Sequence, residues 1–274
     1  QVDVDAAEIG RNRPIDVGIV GDARSVLEAL AAGWRGATPP EWPRHLREKE
    51  AARRERQREY EASDQRPIHH FRLAKALDTV AARAGDVTWV ADGGNVVAVA
   101  AKVIRVPGPG RWLDPGPLGT LGVGAPFAIA AKLLAPERPV CVLQGDGAFG
   151  LNGMDFDTAL RFGLPMVVVV GNDAAWGQIR IPQRGLYGDD HAIATRLAPT
   201  RYDLVAEGFG AFGQHVTEID DLGPAVSRAL ESGRPAVINV ATSAKVVHPI
   251  TTSMLGDLDV TDEKGNVVEW EVEM

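Results

Sequence analysis

The sequence predicts an α/β fold, a parallel sheet with helices on both faces, preceded by the end of another α/β unit. Three observations carry this. Val87–Ala91, Val140–Gln144 and Met166–Val170 are short runs apolar at nearly every position, as strands covered on both faces are. They alternate with longer helix-patterned segments. Each runs into a polar, Gly-containing turn: Asp92-Gly93-Gly94-Asn95, Gly145-Asp146-Gly147 and Gly171-Asn172-Asp173.

Pro14–Val20 reads as a buried strand, and Asp22 caps a helix over Ala23–Ala32 with apolar Val26, Leu27 and Leu30. One strand and one helix cannot bury a core, so residues 1–35 are expected to close a central α/β domain that begins upstream in a longer polypeptide. Residues 36–66 read as a linker: Gly36–Pro43 contains prolines, and Arg44–Ala62 is dense in Arg and Glu with little apolar stripe, a solvated helix. The main domain is expected over 67–243. Its helices fall at Phe71–Ala84, Gly119–Leu134, Leu151–Phe162, from Ala175, at Arg201–Phe212 and at Leu222–Glu231. Further strands fall at Val216–Glu218 and Ala236–Val240. Residues 244–274 form a tail that carries Ile250, Met254, Leu255, Leu258, Trp270 and Val272, with a hairpin expected over Val260–Met274. Such apolar content needs cover, so the tail is expected either to fold over the open face at the strand ends as a lid or to pack on a remote flank or a neighbouring subunit.

Composition excludes several functions. The chain has 274 residues, 45% hydrophobic, enough for a sizeable core. Its net charge of −8 comes mostly from the last twenty residues, which hold seven acids and one base. A nearly neutral body with an acidic tail is a poor nucleic-acid binder. No apolar run is long enough to span a membrane, and Gln1–Val20 lacks the pattern of a signal peptide, so a cytoplasmic location is expected. Cys141 lies inside an apolar run and is expected to be a buried, inert thiol.

In open parallel sheets, ligands bind at the carboxyl ends of the strands. Here the three polar turns lead into helix N-termini, whose free N–H groups favour phosphate. Asp146 is followed at +26 by Asn172 and at +27 by Asp173. Hard oxygen ligands on neighbouring strand ends suit Mg²⁺, which bridges to phosphates. Neither a Walker loop nor a G-x-G-x-x-G fingerprint after the first strand is present. Asp146 alone reads equally as a helix cap, and Gly119, Gly122 and Gly124 as close-packing glycines.

Together these residues resemble the thiamine-diphosphate enzyme family, in the acetolactate synthase, oxalyl-CoA decarboxylase and 2-hydroxyacyl-CoA lyase group. Gly145-Asp146-Gly147 with Asn172-Asp173 is similar to its GDG…NN signature. Leu118-Gly119-Thr120-Leu121-Gly122 resembles its G-[TS]-[ML]-G stretch, and Val4–Pro14 with Ile19–Ala23 resembles the end of its central domain. Gly145–Gly150 with Gly153-Met154, and Gly171–Gln178, are most similar to the CoA-dependent members. Asp173 departs from the second Asn of the signature but still supplies an oxygen ligand.

The resemblance implies a thiamine-diphosphate-binding fold of the pyrophosphate-binding type. It implies thiamine diphosphate and Mg²⁺ as cofactors, with Asp146, Asp173 and the Ala175 carbonyl on the metal. The amides of Gly147 and Ala148, with Gly94, Asn95 and Val96, would hold the diphosphate, and Gly145, Asn172 and Gly177 would also be cofactor-binding. The Gly119 carbonyl would accept from the aminopyrimidine, and Leu121 would wedge under the bent cofactor. Trp176 and Gln178 would face the substrate. The implied reaction cleaves a 2-hydroxyacyl-CoA to formyl-CoA and an aldehyde or ketone, or runs in reverse; acetolactate-type chemistry on pyruvate and oxalyl-CoA decarboxylation are the alternatives. A homodimer or homotetramer is implied, with an essential Glu on the N-terminal half of the same enzyme and no membrane or nucleic-acid partner.

Other polar residues carry weaker expectations. His69 and His70 precede a helix and are expected to be exposed or capping; Trp34, Trp42 and Trp89 are expected to pack. His191 is a candidate active-site residue, Arg180, Arg184 and Tyr187 are candidate contacts for a CoA phosphate or thioester, and His248 and Ser253 are tail candidates.

Overall fold

The computed structural model describes residues 1–37, 39, 41–247 and 251. It divides into two compact units, Gln1–Arg53 and Arg54–Met274. In the first, β1 (Val2–Asp3) pairs in parallel with β2 (Ile19–Val20), so the unit has two strands where the sequence suggested one. The Asp22 side chain accepts from the Ser25 N–H at 3.0 Å and starts α1 (Ala23–Gly33). Leu27 and Leu30 remain 64% and 59% exposed, so this pair buries no core. Trp34 and Trp42 are also exposed, against the expectation that they pack.

The charged segment forms one long helix, α2 (Glu41–Glu61), laced by pairs such as Arg53–Glu50 and Arg58–Glu55 and starting three residues earlier than expected. Then follow α3 (His70–Ala84), β3 (Thr88–Asp92), α4 (Gly94–Val103), β4 (Trp112–Leu113), α5 (Gly124–Leu134) and β5 (Val140–Gly145). The rest is α6 (Asp146–Asn152), α7 (Phe156–Arg161), β6 (Val167–Asn172), α8 (Gly177–Tyr187), α9 (Tyr202–Gly208), β7 (Phe212–Val216), α10 (Ile219–Glu231) and β8 (Ala236–Ala241). Among the described residues no helix is long and apolar enough to cross a membrane.

Strands β3 to β8 make one parallel sheet in the order β4-β3-β5-β6-β8-β7. Every residue of β3, β5 and β6 is buried, as their apolar runs require. The two-residue strand period sorts them to opposite faces. Cys141, Leu143, Val167 and Val169 join Leu73, Leu77, Val99 and Val226 on one side, beneath α3, α4 and α10. Val140, Val142, Val168 and Val170 join Ala128, Phe149 and Phe156 on the other. Burial raises the Cys141 thiol to about 12, which makes it inert as expected. Trp89 is 2% exposed and packs in the core.

Several local expectations are corrected. Gly119–Val123 is not helical: Gly119 takes φ +64°, ends a short 3₁₀ turn, and α5 begins only at Gly124. The stretch expected as one helix over Leu151–Phe162 is split, because α6 begins at Asp146 and a 3₁₀ turn, Gly153–Asp155, separates it from α7. The helix from Arg201 stops at Gly208, so Phe212–Val216 rather than Val216–Glu218 forms the edge strand.

Candidate functional site

The site follows from strand register. Asp92 is paired with Gln144, and Gly145 with Gly171, so the ends of β3, β5 and β6 stop at one level. The Gly145 N–H donates to the Gly93 carbonyl at 3.3 Å. Gly94 has φ +85°, and a Cβ there would lie 3.6 Å from the Gly145 Cα, so the two turns pack backbone against backbone. Helices α4, α6 and α8 follow these three turns, and their first turns border a common cavity of about 190 Å³.

That cavity gathers nearly all the expected residues. Gly94, Asn95, Val96, Gly119, Leu121, Gly145, Asp146, Gly147, Ala148, Asp173, Ala175, Trp176, Gly177 and Gln178 line it. Asn172 does not. Its amide donates to the Thr200 carbonyl at 2.8 Å and to Asn239 Oδ1 at 3.1 Å, while its own Oδ1 accepts from the Ala174 N–H at 3.2 Å. It shapes the turn that carries Ala174 at φ +54° and delivers Asp173 and Ala175 to the cavity.

Two carboxyl groups dominate the electrostatics. Asp146 is 2% exposed; its Oδ1 accepts from the Gly147 N–H at 2.9 Å, and its buried Oδ2 has no partner. Burial pushes its pKa up to about 6. Asp173 is pushed up to about 8, first by burial and then by the Asp146 charge, although its Oδ1 accepts from the Ala175 N–H at 3.1 Å. Two desolvated carboxylates that repel each other, one with an orphaned oxygen, form a donor set suited to a hard cation. Among the described residues no three His, Cys, Asp or Glu side chains converge as a metal cage. Two carboxylates and a carbonyl leave positions for phosphate and water oxygens, the way Mg²⁺ is ordinarily held. The residues therefore fit the metal.

The raised carboxyl pKa has a consequence for the metal-free chain. The folded state keeps a proton on Asp173 that the unfolded state has lost, so stability falls as pH rises toward 8. His70 is pushed down to about 3 from its ordinary 6.5 and acts in the opposite sense below that value. Between pH 6.5 and 8 only the Asp173 effect of this pair remains. A loss of stability over that window is expected. Urea unfolding at fixed pH measures it, and Asp173→Asn should flatten the slope.

Leu121 rises into the cavity from a loop clasped to the sheet. Both Asp92 oxygens hold it, Oδ1 accepting from Gly122 N–H at 3.0 Å and Oδ2 from Gly124 N–H at 2.8 Å. Trp176 lies against Gly147, where a Cβ would fall 2.6 Å from the indole. Gln178 lies on the exposed rim of α8.

The structure also brings in a residue the sequence did not place there. His70, expected to be exposed or capping, is 1% exposed and lines the cavity. His69 is likewise buried, but it does cap α3, its Nδ1 accepting from the Phe71 N–H at 3.2 Å. Arg180, Arg184, Tyr187 and His191 stay off the cavity wall: Arg180 donates to the Ala192 carbonyl, Arg184 pairs with Asp189, and Tyr187 is exposed. The start of the tail approaches the site, since Asn95 Nδ2 donates to the Val246 carbonyl at 3.4 Å. His248, Ser253, the hairpin and the lid lie outside the described residues.

Comparison with known proteins agrees with this geometry. Residues 92–240 match the family described as thiamine pyrophosphate enzyme, C-terminal TPP binding domain. The acetolactate synthase large subunit IlvG of Mycobacterium tuberculosis is 40% identical over 86% of this chain and 43% of its own length. The 2-hydroxyacyl-CoA lyase 2 of Danio rerio is 37% identical over 82% of the chain and 37% of its own length. The human protein of that name is 36% identical over 81% of the chain and 36% of its own length. The chain thus spans less than half the length of these relatives. With more than half its residues matched and the strand ends built as described, the chain belongs to the thiamine pyrophosphate enzymes and carries their C-terminal TPP-binding domain.

Proposed function

We propose that this chain is the cofactor-holding part of a thiamine-diphosphate- and Mg²⁺-dependent carbon–carbon lyase that cleaves 2-hydroxyacyl-CoA to formyl-CoA and an aldehyde or ketone, and catalyses the reverse condensation. The observation that carries the cofactor reading is the convergence of buried Asp146 and Asp173 with three helix N-termini on one cavity. Asp146, Asp173 and the Ala175 carbonyl would hold Mg²⁺. The N–H groups at the starts of α4 and α6, from Gly94, Asn95, Val96, Gly147 and Ala148, would hold the diphosphate. The Gly119 carbonyl would fix the aminopyrimidine, and Leu121 would hold the cofactor bent. When bound, the cofactor supplies a carbanion-stabilising electron sink. Trp176 and Gln178 would border the substrate and exclude water.

The lyase reading draws on the 2-hydroxyacyl-CoA lyase 2 relatives and on the Gly145–Met154 and Gly171–Gln178 stretches. A second reading, acetolactate formation from pyruvate, is favoured by the 40% identity to the mycobacterial protein. The two use the same metal and diphosphate residues. A coupled assay of the assembled enzyme separates them: formyl-CoA from a 2-hydroxyacyl-CoA supports the lyase, and acetolactate from pyruvate overturns it. Completion by an N-terminal half bearing a Glu, in a homodimer or homotetramer, and a cytoplasmic setting with reduced Cys141 belong to the same proposal.

Leu121→Ala is expected to lower turnover about tenfold while shifting the thiamine diphosphate Kd far less, because the lost shape aligns the reacting groups rather than anchoring the cofactor. Equal effects on kcat and Kd would assign Leu121 to binding alone.

A further inference from the structure

Three buried polar groups of the cavity wall have atoms with no hydrogen-bond partner: Asp146 Oδ2, Asn95 Oδ1 and both ring nitrogens of His70. Buried polar atoms are normally paired, because leaving them so costs free energy. Asp146 is accounted for by the metal. Nothing in the proposed function accounts for His70.

The fold places His70 deliberately. The Ile68 N–H donates to the Ala241 carbonyl and the Ser243 N–H to the Ile68 carbonyl, each at 3.1 Å. These bonds tie the entry of α3 to the carboxyl end of β8, level with the other strand ends. Helix α3 packs beside α4 on the same face of the sheet. His70 therefore enters the cavity wall from the sheet face covered by α3 and α4, and Gly94, Asn95 and Val96 at the start of α4 line the same cavity. The neighbouring His69 is committed elsewhere, capping α3 and stacking on Tyr60 with ring centroids 5.5 Å apart.

We propose that His70 is a cofactor-binding residue whose imidazole donates a hydrogen bond to the diphosphate, as a side-chain complement to the amides of α4 and α6. This rests on the thiamine diphosphate reading. Burial and the adjacent His69 keep the ring neutral, and a neutral imidazole still carries one N–H donor while its second nitrogen can accept. In a dry cavity such a donor to an anion is worth more than at a surface.

The test measures binding rather than turnover. Calorimetric titrations of the full chain with Mg²⁺ would use thiamine diphosphate, inorganic pyrophosphate and thiamine as separate probes. His70→Phe keeps the ring volume and removes both nitrogens; it should weaken thiamine diphosphate and pyrophosphate alike by roughly tenfold or more and leave thiamine unchanged. His70→Gln restores a donor and should recover most of the loss. Wild-type affinity for pyrophosphate in His70→Phe, or a Gln variant no better than Phe, overturns the assignment. Failure of the unsubstituted chain to bind thiamine diphosphate or pyrophosphate overturns the cofactor reading instead, so the two failures are distinguishable.

Discussion

Asp146→Ala is expected to raise the Kd for thiamine diphosphate in the presence of Mg²⁺ on the order of a hundredfold or more. On the proposed reading, the substitution would leave Asp173 as the remaining carboxylate for a metal that offsets the diphosphate charge. Asp146 also starts α6, so the same change removes a favourable acid at a helix N-terminus. Asp146→Asn isolates the loss of charge. It keeps the volume and an oxygen that can accept from the Gly147 N–H, loses the carboxylate charge, and relieves the desolvated carboxylate pair. The Asn variant should therefore bind cofactor poorly yet unfold at higher urea than the metal-free parent. Calorimetry and urea denaturation read the two quantities. Wild-type affinity in the Ala variant would remove Asp146 from the metal site.

Gly93→Ala should cost roughly 2–4 kcal/mol of stability. Gly93 sits at φ +64° and ψ 161°, a conformation essentially restricted to glycine. A Cβ there would also fall inside the van der Waals envelope of Leu121 Cδ2 and 3.5 Å from Ala148 Cβ. The cost has two parts, and a double-mutant cycle divides them. If the Leu121 clash contributes, Leu121→Ala should recover on the order of 1 kcal/mol of the Gly93→Ala loss, leaving the backbone strain. Strict additivity would show that Leu121 swings aside freely, which would also weaken its reading as a rigid wedge.

The central strands were legible because burial on both faces writes itself as short, nearly continuous apolar runs, and their polar turns then point to the site. The edges were not. Trp112–Leu113 is a two-residue strand among Gly and Pro, paired on one side only, with too little pattern to register. The span Arg201–Val216 was mis-divided because β7 is only half-buried along most of its length and lacks the apolar run of its neighbours. Asp146 and Asp173 could be found from spacing alone because each immediately follows, or closes, a buried strand. His70 could not: a histidine beside a helix start reads as solvent-facing, and its burial depends on Ile68 bonding to β8, more than 170 residues away. Asn172 was over-read for a related reason. Its place in the motif is cavity-adjacent, but its side chain is committed to Thr200 and Asn239, partners that no local pattern reveals.

The Asp92 clasp has one more consequence. Because both carboxylate oxygens grip Gly122 and Gly124, the position of Leu121 is indexed to the end of β3 and not to the stretch of chain that leads up to it. The stretches Val106–Gly110 and Asp114–Leu118, on either side of β4, are largely exposed and rich in Gly and Pro. They can therefore drift in length and composition while β4 and the Leu121 loop keep their places. Variation among related chains should concentrate there and stop abruptly at Gly119, with Asp92 and the two glycines changing only together.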